Sequence, residues 1–417
     1  MRRTIVLTAV VGALALAAVG CGEPAPQAEV DFHEWSSAPD FRAGAAEGAS
    51  VDGDTVQIGS PLGTVQHPAP DGGLRDYEYA RWTSPLHRLG FPATELVTSW
   101  NAATPPGTWV QVEMRGRTAG GADTGWYVMG RWASGDADIH RTSVDGQSDA
   151  QGAVSVDTFT ANPGAELVGY QLRVTLHRAV GTSASPALSL VGAMASAIPD
   201  RFDVPTSGPG GAWGVELPVP RYSQNIHKGH YPQYGGGGEA WCSPASTQMV
   251  VEYWGKHPSE ADLSWIDPDH PDRVVDHAAR QTFDHAYDGT GNWSFNAAYA
   301  ATYGLEARIT RLRSLAEAEQ YIRSGIPLIT SQSFREGELD GAGYGTEGHI
   351  MVLVGFTENG DVVVNDPASS DDAAVRNVYP REQFENVWLR TKRKDENGEV
   401  KSGTGGISYL IVPAGRA

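Results

Sequence analysis

The chain has 417 residues and a formal net charge of −19, with 50 acidic against 31 basic side chains. A surface of that sign repels nucleic acid, and the acids are scattered rather than gathered into a tail, so nucleic acid is excluded as an expected partner. Two cysteines give no disulfide framework, so core packing has to supply the stability of a chain long enough for two domains.

The first 20 residues join a basic start, Arg2-Arg3, to an uncharged, mostly apolar run from Ile5 to Val19. That run is too short to span a bilayer comfortably and reads as an export signal. It closes on Ala18-Val19-Gly20-Cys21, the pattern of a lipid-attachment site. Lipidation at Cys21 is expected to hold the protein at the outer face of a bacterial cell membrane, with plain secretion as the alternative. Residues 21–30 lack hydrophobic periodicity and read as a tether.

From 31 to 198 the chain repeats short alternating stretches between Gly, Pro, Asp and Asn, the pattern of an all-β sandwich. Expected strands include 93–100, 108–115, 126–133, 154–159 and 167–176. In the clearest, Gln111, Glu113 and Arg115 alternate with Val110, Val112 and Met114, which predicts one wet and one buried face. Trp126, Tyr127 and Trp132 are expected to pack inside the sandwich, since large aromatics dominate core burial. The other reading is a sugar-stacking face, so a cell-wall or carbohydrate contact through this domain stays open.

Residues 199–216, rich in Pro and Gly, read as a flexible or extended linker. From 217 to 413 the pattern changes to mixed α and β. Ser243 as N-cap and Pro244 in the first turn open a helix that ends at Gly255. Ser314 to Glu317 reads as a capping box, and that helix stops at Gly325. Strands are expected at 326–331, 349–356 and 362–365, the last two joined through Asn359-Gly360 as a hairpin.

Once the signal is removed, Cys242 has no internal disulfide partner. It stands in Trp241-Cys242-Ser243-Pro244, where the helix begins, a position that favours thiolate, and it reads as a nucleophile. His349 opens the first strand of the hairpin as a candidate base, and Asp366 closes the second as the group that orients it. Counting across the Asn359-Gly360 turn sets Asp366 opposite Leu353, so a bulge or longer loop has to bring it to His349. Gln224 is the candidate side-chain donor to an oxyanion, with Gln233 as competitor.

These pieces together resemble the bacteriocin-processing type of papain-clan cysteine peptidases and the exported peptidase-like proteins related to them. The resemblance covers roughly 217 to 413. It rests on the segment ending at Gln224, Trp-Cys-Ser-Pro-Ala-Ser around Cys242, the strand Gly348 to Phe356, and Asn-Asp-Pro at Asp366. It implies a papain-like α+β domain in which Gln224, Cys242, His349 and Asp366 act as oxyanion donor, nucleophile, base and orienting acid. Relatives commonly carry glycine after the cysteine, where Ser243 stands here.

The histidines at 227, 230, 257, 270, 277 and 285 show no metal-ligand spacing, so neither metal nor organic cofactor is expected. The expected fold is a β-sandwich followed by a papain-like domain. The expected function is an extracytoplasmic, lipid-anchored cysteine peptidase or amidase, a hydrolase acting on a peptide or protein substrate. Its rival is a papain-like binding protein of the cell surface without catalysis. A third reading passes the acyl group to an amine.

Overall fold

The computed structural model describes residues 28–416. The expected signal segment and Cys21 lie outside the described residues, as does most of the expected tether. Its last two positions, Glu29 and Val30, already belong to the strand Glu29–Trp35.

The N-terminal region is a sandwich of two antiparallel sheets, as the alternating pattern requires. In one, the long strands Glu95–Ala103 and Ala187–Ala197 pair, and Glu29–Trp35 lies against the second of them. In the other, the order runs Tyr127–Trp132, Thr108–Thr118, Leu167–Ala179, Leu74–Thr83. Val110, Val112 and Met114 are fully buried between the sheets, while Gln111 and Arg115 face outward and are half-buried. Tyr127 and Trp132 are core residues. Trp126 is half-buried and packs against two guanidiniums, Arg115 at 4.8 Å and Arg173 at 4.2 Å from its ring centroid. The stretch expected as one strand, 154–159, is instead a tight hairpin of Gly152–Ser155 and Thr158–Ala161.

The second region is α+β. A six-stranded antiparallel sheet runs in the order Leu305–Arg311, Ile407–Pro413, Leu328–Phe334, Thr346–Phe356, Val362–Asn365, Arg376–Tyr379. Its central strands are continuous hydrophobic runs because both faces are covered. Ile350, Val352 and Val354 meet Met249 and Val250 of the helix Cys242–Tyr253. Met351 and Leu353 face the other way, toward Ile322 of Leu315–Arg323 and Phe384 and Trp388 of Arg381–Leu389. Ser314 caps its helix by accepting from the Glu317 backbone N at 3.1 Å, as expected. The Glu317 carboxylate instead accepts from the Arg313 backbone N at 2.8 Å.

Residues between the two regions run as a strap bonded along its length to the second one. Val204 N donates to Asn386 (2.9 Å), Ser207 N to Glu385 (2.8 Å), and Gly210 N and Ala212 N both to Glu319 (2.8 Å). The strap then pairs with the sheet at Glu216 and Gly355. Gly355 has to be glycine there, since a Cβ would lie 2.3 Å from the Val215 carbonyl oxygen.

The two regions also share one core. Phe295, on the helix Trp293–Ala301, inserts its ring between Trp100 and Trp132 of the sandwich, with centroids 6.0 and 5.5 Å away. Around it the backbone groups pair across the junction. Asn101 donates to the Ala307 carbonyl at 2.8 Å, Ile309 N donates to Ser99 at 2.8 Å, and Ser294 donates to the Thr98 carbonyl at 2.7 Å.

Candidate functional site

The helix Cys242–Tyr253 begins on the thiol residue itself. Its N-cap is Trp241, one residue before the thiol, so Ser243 does not cap it. The Ser243 hydroxyl instead bonds the Tyr409 hydroxyl at 2.9 Å, inside the domain. The Trp241 indole is fully buried and donates to the Tyr234 carbonyl at 2.6 Å, which anchors the glycine-rich loop before the helix. Ser246, one turn on, donates to the Ile350 carbonyl at 3.3 Å and ties the thiol end of the helix to the strand that carries His349. Cys242 itself is half-buried.

The gap between His349 and Asp366 is closed by two irregularities. The hairpin loop is Thr357–Asp361, and a bulge at Val354 separates the pairs Leu353 with Val364 and Gly355 with Val363. Each shifts the register by one residue. Asn365 therefore lies opposite Val352, and Asp366 falls closer to His349 than an unbroken count across Asn359-Gly360 allows. The result is a buried pair, His349 Nε2 to Asp366 Oδ1 at 2.8 Å.

Asp366 is saturated with donors. Oδ1 also accepts from Ala368 N at 2.9 Å, and Oδ2 accepts from the hydroxyls of Tyr344 (2.8 Å) and Tyr379 (2.7 Å). Burial pushes this carboxyl up, but the His349 charge and the three hydroxyl and imidazole donors outweigh it and hold it below its ordinary value. Burial likewise pushes His349 down, and the Asp366 charge and hydrogen bond, with a smaller part from the neighbouring Cys242 thiol, raise it to about 10. At neutral pH the ring is therefore an imidazolium. With Nε2 committed to Asp366, Nδ1 is the nitrogen left for the Cys242 thiol.

Gln224 reaches the same place. Its backbone N donates to Pro367 O (2.8 Å), and its neighbours Ser223 and Asn225 bond the carbonyls of Ser369 (2.6 Å) and Ala368 (2.7 Å). The side-chain amide donates to the Glu239 carbonyl at 2.6 Å, and its Oε1 is buried without a partner. Close approach explains Gly238, where a Cβ would lie 2.5 Å from the Gln224 carbonyl and 2.4 Å from His227 C. Gln233, the competitor, is exposed and does not line the cleft.

The structure thus brings Gln224, Cys242 and His349 to one cleft of about 930 Å³, with Asp366 behind His349. Glu239, Asp288 and Glu347 also line it, and no lysine or arginine among the described residues does, although Lys228 pairs with Glu239 at 2.9 Å and Arg393 with Glu347. Sequence reasoning missed Tyr344 and Tyr379, which lie on a loop and a strand with no motif to mark them. It also missed a cluster beside the Gln224 loop, where His227 and His230 bond the two oxygens of buried Asp276 at 3.1 and 3.2 Å. These ligand-capable atoms lie within 4.8 Å of one another and could hold a cation. Asp276 comes 46 residues after His230, so no spacing rule exposes the group.

A helix that opens on a thiol, packed on an antiparallel sheet that supplies a histidine and a carboxylate, defines the papain-like class of fold. Residues 31–196 match the Peptidase C39 N-terminal domain and residues 216–396 match the Peptidase C39 like family. By these two matches the chain is of the C39-like peptidase family and fold. Among solved structures, a C39-like peptidase from Bacillus anthracis is 17% identical, covering 48% of this chain and 96% of its own, with a TM-score of 0.30. TmCBM61 in complex with β-1,4-galactotriose is 10% identical over 40% of this chain and 86% of its own, with a TM-score of 0.17. The Clostridium thermocellum endo-1,4-β-D-xylanase 10B modules complexed with xylohexaose are 10% identical over 45% and 29%, with a TM-score of 0.18. No curated protein matches the chain.

The expected activity is corrected here, and with it the description of the chain as a cysteine peptidase, thiol protease or hydrolase. The stretch 31–196, matched as a Peptidase C39 N-terminal domain, contains no cysteine, so no Cys-His-Asp triad forms in it. The His227, His230 and Asp276 cluster has no cysteine among its members. The chain's one described thiol, Cys242, lies in the other matched stretch, 216–396, in the same cleft as His349. The binding alternative is the better supported of the two.

Proposed function

We propose that the protein is a papain-like binding protein of the cell surface, and that the cleft over Cys242 and His349 receives a peptide segment without turning it over. The observation that carries this reading is a cleft of about 930 Å³ over Cys242 and His349, walled by Tyr287, Tyr344 and two glycine-bearing loops. His349, fixed from behind by Asp366 at 2.8 Å, and the Gln224 loop supply polar groups at the floor of that cleft against which a peptide backbone can lie. Of the carboxylates at the walls, Glu239 is paired with Lys228 and Glu347 with Arg393, so Asp288 is the one that favours a peptide with a basic side chain. Gln224, Cys242, His349 and Asp366 are on this reading binding and positioning residues. Attachment to the outer face of the membrane through lipid on Cys21 belongs to the same proposal, on the strength of the basic and apolar start of the chain.

The test is a library of short peptides presented to the wild type and to Cys242→Ala, read for binding and for cleavage. Retained binding of the basic members by both proteins, with no product from either, is the expected result. Cleavage by the wild type that Cys242→Ala loses would overturn the reading. Partition of the full-length protein into detergent, lost in Cys21→Ser, checks the anchor.

A further inference from the structure

The wet face of the second sandwich sheet carries a site of its own. Register aligns four residues across four strands. Arg131 lies opposite Gln111, Gln111 opposite Thr175, and Thr175 opposite Arg81. At a strand spacing of about 4.8 Å the row is about 14 Å long, with a guanidinium at each end and an amide and a hydroxyl between. These side chains line a cavity of about 430 Å³, into which three guanidiniums and a single carboxylate project.

The third guanidinium is already committed, because Arg173 forks onto Glu113 at 2.8 and 2.7 Å. The other two have no carboxylate partner among the described residues. Arg131 gives its Nε to Gln111 Oε1 at 2.9 Å, and the Arg81 Nε is buried with no partner. On a chain whose net charge is −19, two uncommitted guanidiniums facing one cavity are a local reversal of sign. The histidines of the cavity, His67 and His177, are pushed down by burial and stay neutral, so they do not supply the charge.

Trp109 is closed to a stacking ligand, and the other large ring of the cavity, Tyr79, has the Arg81 guanidinium 5.1 Å from its centroid. His177 is stacked on Trp109 at 3.6 Å, His67 leans on it at 4.7 Å, and the indole is 1% exposed. A ligand here is held by charge and hydrogen bonds. Gln111 and Thr175 each offer donor and acceptor atoms suited to hydroxyl groups, which a bare phosphate would leave unused. Planar guanidinium forks match carboxylates.

We propose that this face binds an acidic saccharide, its carboxylate taken by Arg81 and Arg131 and its hydroxyls by Gln111 and Thr175. Calorimetry on the full chain tests it with digalacturonic acid and cellobiouronic acid, set against their methyl esters and inorganic phosphate. At least one acid binds saturably, and its ester and phosphate bind about tenfold more weakly or worse. Arg81→Gln and Arg131→Gln each weaken the acid about tenfold, with the thermal midpoint unchanged. The proposal is overturned if neither acid binds, if an ester or phosphate binds as tightly as the acid, or if neither substitution matters.

Discussion

Asp366→Asn removes the charge that keeps His349 protonated, and the consequence can be worked out in sign and size. Burial alone lowers a histidine, and here the Asp366 carboxylate, with a smaller part from Cys242, reverses that and lifts the ring from 6.5 to about 10. Each unit is worth about 1.4 kcal/mol, so the pair contributes at most about 5 kcal/mol. A group whose folded value is raised contributes fully below its unfolded value. The folded protein holds a proton that the unfolded chain has lost between pH 6.5 and about 10, so stability falls with rising pH across that window. The slope approaches about 1.4 kcal/mol per pH unit. Urea unfolding of the wild type and Asp366→Asn from pH 6 to 10 reads it, and the carbon and proton shifts of the His349 ring follow the same event directly. The wild type should lose stability across the window and the variant should not. An His349 titration near 6.5, or parallel slopes in both proteins, would refute the argument.

Phe295→Ala empties the junction between Trp100 and Trp132 and should cost about 3 to 5 kcal/mol, the range for a buried phenylalanine. Because the ring belongs to both regions, protease sensitivity should rise in the sandwich and the second domain together; a rise in only one would show that they unfold separately. Tyr379→Phe withdraws one donor from Asp366 Oδ2 and should destabilise by about 1 to 3 kcal/mol at pH 7, measured by urea unfolding, with Tyr344 still bonded to the same oxygen. An unchanged midpoint would mean that water replaces the hydroxyl at no cost.

Local signals marked the parts of this fold that obey local rules. Alternation at Val110, Val112 and Met114 announced a strand with one buried face, and Val362–Asn365 ends where its hydrophobic run ends. The helix on Cys242 was readable from Pro244 and the apolar residues after it, although the cap falls on Trp241. What was not legible depends on partners distant in sequence. Val156, a strand former, takes φ 55 in the turn that splits the expected strand 154–159, and the next residue, Asp157, is buried and accepts from Trp293 N across the junction at 2.6 Å. Burial pushes that carboxyl up to about 6. The bulge at Val354 answers the strap that crosses at Gly355, and neither is visible until both are placed. His227, His230 and Asp276 meet only because two separate segments fold together.

The shared core around Phe295 bears on how such chains can be inherited. Severing them at the strap would leave Trp100 and Trp132 open on one fragment and Phe295, Ala298 and Tyr299 open on the other, each an apolar face with nothing to cover it. A module that sticky cannot be traded freely between genes. Each half alone would expose the apolar side chains of the joint to water, so a change of shape at the joint in one half has to be matched in the other.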